Sequence, residues 1–147
     1  MEITIVMSDK HIETITHGIE PIALIIRNEY DEPGIHFFTP ANFSQQLAAM
    51  THPEGHKIAA HVHNLLMRQV LYTQEVLIIK RGKVKVNLYS SSQEFVDAKI
   101  LETGDVILLC GGGHSVEMLE ETSMIEVKQG PYAGENDKTP FPEENCT

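Results

Sequence analysis

Short runs of β-branched and long apolar residues recur along this chain between turn residues, and helical periodicity is scarce. The runs fall at 22–27, 35–39, 45–50, 57–63, 75–80, 83–89, 98–102, 106–110, 115–119 and 124–128, and their lengths and composition predict strands. Turn chemistry stands between them: Asp31-Glu32-Pro33-Gly34, His52-Pro53-Glu54-Gly55, Arg81-Gly82-Lys83, Thr103-Gly104-Asp105 and Gly111-Gly112-Gly113. Such residues supply the fixed or positive φ that hairpins need. So many closely spaced strands predict an all-β sandwich or barrel.

Two stretches fit this pattern less well. Residues 64–74 show no clean alternation and read as a long loop or a displaced strand; residues 44–50 also read as a helical turn. From Gly130 the composition changes to GPYAGENDKTPFPEENCT. The expected organisation is one domain over residues 1–129, with extra strands at its N-terminal side. An acidic, Pro- and Gly-containing tail over 130–147 then wraps the surface and frays at its end.

Composition narrows the function classes. At 147 residues and 41% hydrophobic content, the chain is large enough to bury a core without disulfides. A net charge of −10, with only 11 Lys and Arg scattered along the sequence, excludes the clustered basic footprint of a phosphate-reading nucleic-acid binder. No apolar run reaches the roughly 18 residues of a membrane span, and MEITIVMSDK lacks the basic and apolar regions of a signal peptide. A cytoplasmic protein with a small-molecule ligand is the expectation. Cys110, inside an apolar run, reads as a core thiol, and Cys146 stands next to last in a polar tail, so no disulfide framework is expected.

Three segments carry candidate chemistry. In Gly55-His56-Lys57-Ile58-Ala59-Ala60-His61-Val62-His63, a strand places His61 and His63 on one face about 6.6 Å apart, close enough to converge on a metal ion. The alternative is a pair of surface or core histidines. Glu75 opens the apolar strand Glu75-Val76-Leu77-Ile78-Ile79 and shares a face with Leu77 and Ile79 by the period of two. A carboxylate there needs a partner or a place at the wet strand end. Finally, Gly104-Asp105-Val106-Ile107-Leu108-Leu109-Cys110 runs through the triple glycine into His114, which the bend delivers to a barrel interior or leaves as a satisfied core histidine.

Taken in order, Gly-x5-His-x-His, then Glu-x6-Gly, then a separate glycine-bracketed apolar strand ending in His resemble the two motifs of the cupin superfamily, over residues 55–115. The resemblance implies a cupin double-stranded β-helix, a jelly-roll-like antiparallel barrel of two sheets. It also implies one divalent metal ion (Fe, Mn, Zn or Ni) held by His61, His63, Glu75 and His114. The sequence departs from the usual motifs in three places. Eleven residues separate His63 from Glu75 where three or four are usual, Cys110 stands in place of a proline, and Gly113 alone separates Gly112 from His114.

Three histidines and one carboxylate leave open coordination positions, which is what substrate or water activation needs. The expected function is that of a metal-dependent enzyme, an isomerase, epimerase or dioxygenase. Its substrate would be a small polar metabolite: a carbohydrate, a nucleotide sugar or a carboxylic acid. The alternative is a non-catalytic metal- or ligand-binding cupin. The stretch Glu126-Val127-Lys128-Gln129-Gly130-Pro131-Tyr132 is similar to small bacterial cupins related to sugar-nucleotide epimerases, which generally use a His–acid pair without metal. A homodimer is expected, because edge strands in such folds are commonly covered by a partner.

Other residues keep two readings. His52 and His56 flank a turn and read as surface residues, and His36 faces either the barrel or solvent. Glu126 and Lys128 alternate with Ile125 and Val127, on a solvated face or pointing inward. Arg27 and Arg68 either clamp an anionic substrate or are solvated.

Overall fold

The computed structural model describes residues 9–143. Their regular structure is strand apart from one 3-10 turn, Gly134–Asp137. The strands are β1 (Ile12–His17), β2 (Glu20–Ile26), β3 (Gly34–Phe37), β4 (Ala48–Thr51), β5 (Glu75–Arg81), β6 (Lys83–Tyr89), β7 (Phe95–Glu102), β8 (Val106–Leu109), β9 (Gly113–Met118) and β10 (Ser123–Lys128). They form a five-stranded sheet in the order β1-β2-β8-β5-β10, a three-stranded sheet β7-β6-β9 and a ribbon β3-β4. All pairings are antiparallel. Among the described residues, no helix is long and apolar enough to cross a membrane.

Side-chain alternation explains the layers. In the large sheet Ala23, Ile25, Leu77, Ile79, Ile107 and Leu109 point to one side, where they meet Val84, Val86, Leu88 and Leu101 of the small sheet in a continuous buried cluster. Their neighbours Leu24, Ile26, Val76 and Leu108 point the other way and are covered by Phe38, Phe43, Leu47 and Ala49 from the region of the β3-β4 ribbon. The central strands β2, β8 and β5 of the large sheet are therefore buried on both faces, which is why they read as unbroken apolar runs. Cys110 is a buried thiol of this outer cluster, and burial pushes its pKa up to about 11. Cys146 lies outside the described residues.

Two elements differ from the sequence expectation. β1 was not expected, because Glu13, Thr14 and Thr16 dilute its apolar content; Ile15 alone of the strand is fully buried, with a bulge just after it. Residues 57–63 were expected as a strand and do not form one within this chain. A strand needs a neighbour to take up its N–H and C=O groups, and the described residues of this chain place none beside 52–74. That segment leaves β4 and returns to β5 as an extended, exposed arm.

The base of the arm is firmly held. Gln74, buried just before β5, accepts bonds at Oε1 from Ser44 Oγ (3.2 Å) and the Gln45 backbone N–H (3.1 Å). Its Nε2 donates to the Cys110 carbonyl (3.3 Å). At the other end His52 and His56 stack with ring centres 4.0 Å apart, and the His56 N–H donates to the Pro53 carbonyl, closing the turn. His52 is half-buried rather than a surface residue.

The tail is anchored as far as it is described. The Gln129 N–H donates to the Gln74 carbonyl (3.1 Å), and Asp137 accepts a bond from Thr73 Oγ1. Phe141 then meets Tyr89 edge-on at 5.1 Å, and Glu143 accepts bonds from the Tyr89 hydroxyl (2.7 Å) and from Ser115. The chain thus crosses from the large sheet to the outer face of the small one.

Candidate functional site

Two of the four expected ligands meet between the sheets. Glu75 opens β5 and shares the inner side with Leu77 and Ile79; it is 7% exposed. On the facing sheet β9 pairs with β6, and the register sets His114 opposite Leu88, Val116 opposite Val86 and Met118 opposite Val84. His114 therefore lies on the inner side of the small sheet. Its Nε2 is 2.7 Å from Glu75 Oε1.

The glycine run makes this placement possible. Gly112 has φ +64°, and a Cβ there would run into the Tyr89 carbonyl oxygen. Only glycine combines that backbone with so close an approach. The chain turns out of β8 at this point and enters β9 with His114 directed inward. Gly113 leaves room for the Phe141 ring, 2.9 Å from where a Cβ would stand.

Glu126 is the member that pattern reading left open. β10 pairs with β5 so that Glu126 lies opposite Leu77 and Lys128 opposite Glu75. The register thus puts Met124, Glu126 and Lys128 on the side of Glu75 and Leu77, Met124 and Lys128 half-buried and Glu126 exposed at the sheet edge, while Ile125 and Val127 on the other side are 46% and 49% exposed. Treating apolar residues as the buried ones assigns the faces backwards. The available signal was the register with Glu75, Leu77 and Ile79.

Glu126 hydrogen-bonds Glu75. Two neighbouring carboxylates repel when both are charged, so the first proton taken up by the pair is held more readily than by a lone carboxylate. The hydrogen bond to His114 is the main influence on Glu75; with Glu126 it outweighs burial and lowers the Glu75 carboxyl to about 2. Glu126 moves upward, because of its hydrogen bond to Glu75 and then because of burial. The two shifts run in opposite directions, so of the pair Glu126 is the carboxyl that takes up a proton first as the pH falls.

His61 and His63 are not brought to this pair within the chain. Both lie on the exposed arm, with ring centres 5.2 Å apart, and His61 Nδ1 is 2.8 Å from the Ala59 carbonyl. Among the described residues no group of three or more His, Cys, Asp or Glu side chains is placed to hold a metal ion. One chain thus supplies a carboxylate and an imidazole, and that donor set does not by itself fit a metal.

The remaining candidates lie elsewhere. His36 is half-buried on the ribbon beside Tyr30, with Nε2 2.8 Å from the Pro33 carbonyl. Arg27 is bonded to Glu13 (2.5 Å), the Ile100 carbonyl (2.6 Å) and Asp105 (3.1 Å), and so ties β2 to its neighbours. Arg68 is exposed on the arm.

Neither comparison with family models nor comparison with curated proteins and solved structures finds a match for this chain.

Proposed function

We propose that this chain is a cupin acting as a metal-dependent enzyme on a small polar metabolite, a carbohydrate, nucleotide sugar or carboxylic acid, and that it works as a homodimer. The observation that carries this is the meeting of Glu75 and His114, the last two donors of the motif order, from facing sheets at 2.7 Å. A carboxylate and an imidazole, here in direct contact with each other, are donors of the kind that divalent zinc, iron, manganese and nickel accept once further donors complete the set. A bound metal would polarise a substrate oxygen or activate water. The other two donors are remote from this pair in the single chain. The chain's own groups supply a half-open mouth: the His114 side chain keeps 32% of its exposure, so a substrate can reach it while Glu75 stays covered.

The test is elemental analysis after dialysis against zinc, for the native chain and for Glu75→Gln and His114→Ala. Bound zinc that falls sharply in both variants supports the proposal. Native protein that takes up none overturns it.

A second reading has its own observation, the chain of contacts Glu126–Glu75–His114. Without metal, His114 would exchange a proton with a carbon acid or hydroxyl, while Glu75 orients the imidazole. Turnover of nucleotide sugars or sugar phosphates that persists in chelator and is lost in His114→Gln would favour it. Ligands that bind and are never transformed would point to a non-catalytic binding protein.

A further inference from the structure

The four donors are split between the two halves of the molecule, and so are two unmet structural requirements. On one side, residues 57–72 form an extended arm that makes no hydrogen bond to the rest of the chain among the described residues. It nevertheless exposes Ile58, Val62, Leu65, Leu66, Met67 and Leu71, at 59% to 103%. An apolar segment this long is not left in water by a stable monomer. On the other side, β9 is bonded to β6 along one edge and, among the described residues, to no strand along the other. Its inner side is incomplete as well: Met118 shares a face with His114 and Val116, yet is 48% exposed.

The arm has the length, the apolar content and the backbone to be the strand that this edge lacks. The structure indicates which copy supplies it. One end of the arm is clamped by Gln74 and its three partners, and the other leaves through the Pro53–His56 turn. Between these points residues 57–72 make no hydrogen bond to their own barrel among the described residues. An excursion of this length reaches roughly 25–30 Å when extended, which spans to a neighbouring copy.

We propose that residues 57–72 of each chain lie along the open edge of β9 in a second copy, so that His61 and His63 of one chain meet Glu75 and His114 of the other. The exchange is reciprocal, as two-fold symmetry requires, and each dimer holds two composite sites. The ligand set rests on the metal reading proposed above; the strand exchange itself does not.

The experiment keeps the two apart. A His61→Ala/His63→Ala chain and a Glu75→Gln/His114→Ala chain are each assayed for zinc, then unfolded together, refolded as an equal mixture and assayed again. With exchange, each alone binds little zinc, and the mixture regains about a quarter of the native zinc per chain. That follows because half the dimers are mixed and each of those has one intact site of two. A mixture that regains none, while the native protein binds zinc, overturns the composite site. Light scattering reads the exchange without metal. The native chain should be a dimer, and Val62→Asp/Leu66→Asp, or replacement of 57–72 by a short Gly/Ser linker, should give a folded monomer. A monomeric native chain, or a dimer that survives both arm variants, overturns the exchange whether or not zinc binds. A dimer that depends on the arm but binds no zinc sustains the exchange and discards the metal reading.

Discussion

Gln45 donates twice to Gln74, from its backbone N–H to the side-chain oxygen at 3.1 Å and from its own side-chain nitrogen to the backbone carbonyl at 3.0 Å. Gln74 is 6% exposed and also bonds Ser44 and the Cys110 carbonyl, so one side chain joins the region before β4, the end of β8 and the start of β5. Glu75, the next residue, takes its position from this clamp.

Replacing Gln74 by Leu should therefore cost about 1–3 kcal/mol, since it leaves the buried Cys110 carbonyl and the half-buried Gln45 N–H without their partner. Urea unfolding measures it. A midpoint unchanged from the native chain would mean that water or rearranged neighbours take up the bonds.

A second prediction concerns acid stability. Burial raises the Glu13 carboxyl, but hydrogen bonds and charges from Arg27 and Lys99 outweigh it and hold it below the ordinary carboxylate range. A carboxyl depressed in the folded state contributes stability that is present above its unfolded pKa and lost as the pH falls through the folded one. Glu13→Gln should lower stability at neutral pH by on the order of 1 kcal/mol, as for a partly exposed pair. Below the carboxylate range the difference from the native chain should vanish. Urea midpoints of both chains across the acid range read this directly, and a gap that persists at low pH would show that packing rather than charge is responsible.

The tail gives a third. Phe141 packs edge-on against Tyr89, and Glu143 accepts the Tyr89 hydroxyl, so this segment covers the outer face of the small sheet. Phe141→Ala should cost roughly 1–3 kcal/mol, less than a fully buried aromatic because the ring is only half-buried. Thermal unfolding checks it. An unchanged midpoint would make the tail a passive cover.

What was legible in the sequence and what was not follow from where each signal resides. Glu75 and His114 could be placed because each is tied to a strong local pattern, a period of two beside Leu77 and Ile79, and a glycine bend after an apolar strand. The all-β class followed from the same strands. His61 and His63 were placed by the same alternation, but alternation fixes a face only when a neighbouring strand defines one, and within this chain the arm has none. Glu126 was left open because burial was read from residue type, whereas Ile125 and Val127 are on the exposed side of an edge strand. Arg27 was weighed as a substrate clamp because its partners Glu13 and Asp105 lie 14 and 78 residues away, beyond any local pattern. The cupin resemblance rests on motif order, which the strands of Glu75 and His114 can carry without fixing where the first two histidines lie.

The last prediction isolates what the glycine bend contributes to the site. Gly112 and Gly18 share nearly the same backbone conformation, with φ +64° and +61°, but a Cβ at Gly18 would meet nothing within 4 Å, while one at Gly112 would strike the Tyr89 carbonyl. Gly18→Ala therefore reports conformational strain alone, about 1–2 kcal/mol. Gly112→Ala carries that strain plus a backbone collision that no side-chain rotation relieves, and should cost at least about 2 kcal/mol more. Because Tyr89 pairs with Gly113 in the ladder that carries His114, relief of the collision must shift the start of β9 and draw His114 away from Glu75. The measurements are urea unfolding of both variants and the histidine ring signals by NMR. Gly18→Ala should leave the His114 signal where it is in the native chain, and Gly112→Ala should move it. Equal destabilisation of the two, with His114 undisturbed in both, would show that the turn adapts elsewhere and that the bend does not set the position of the imidazole.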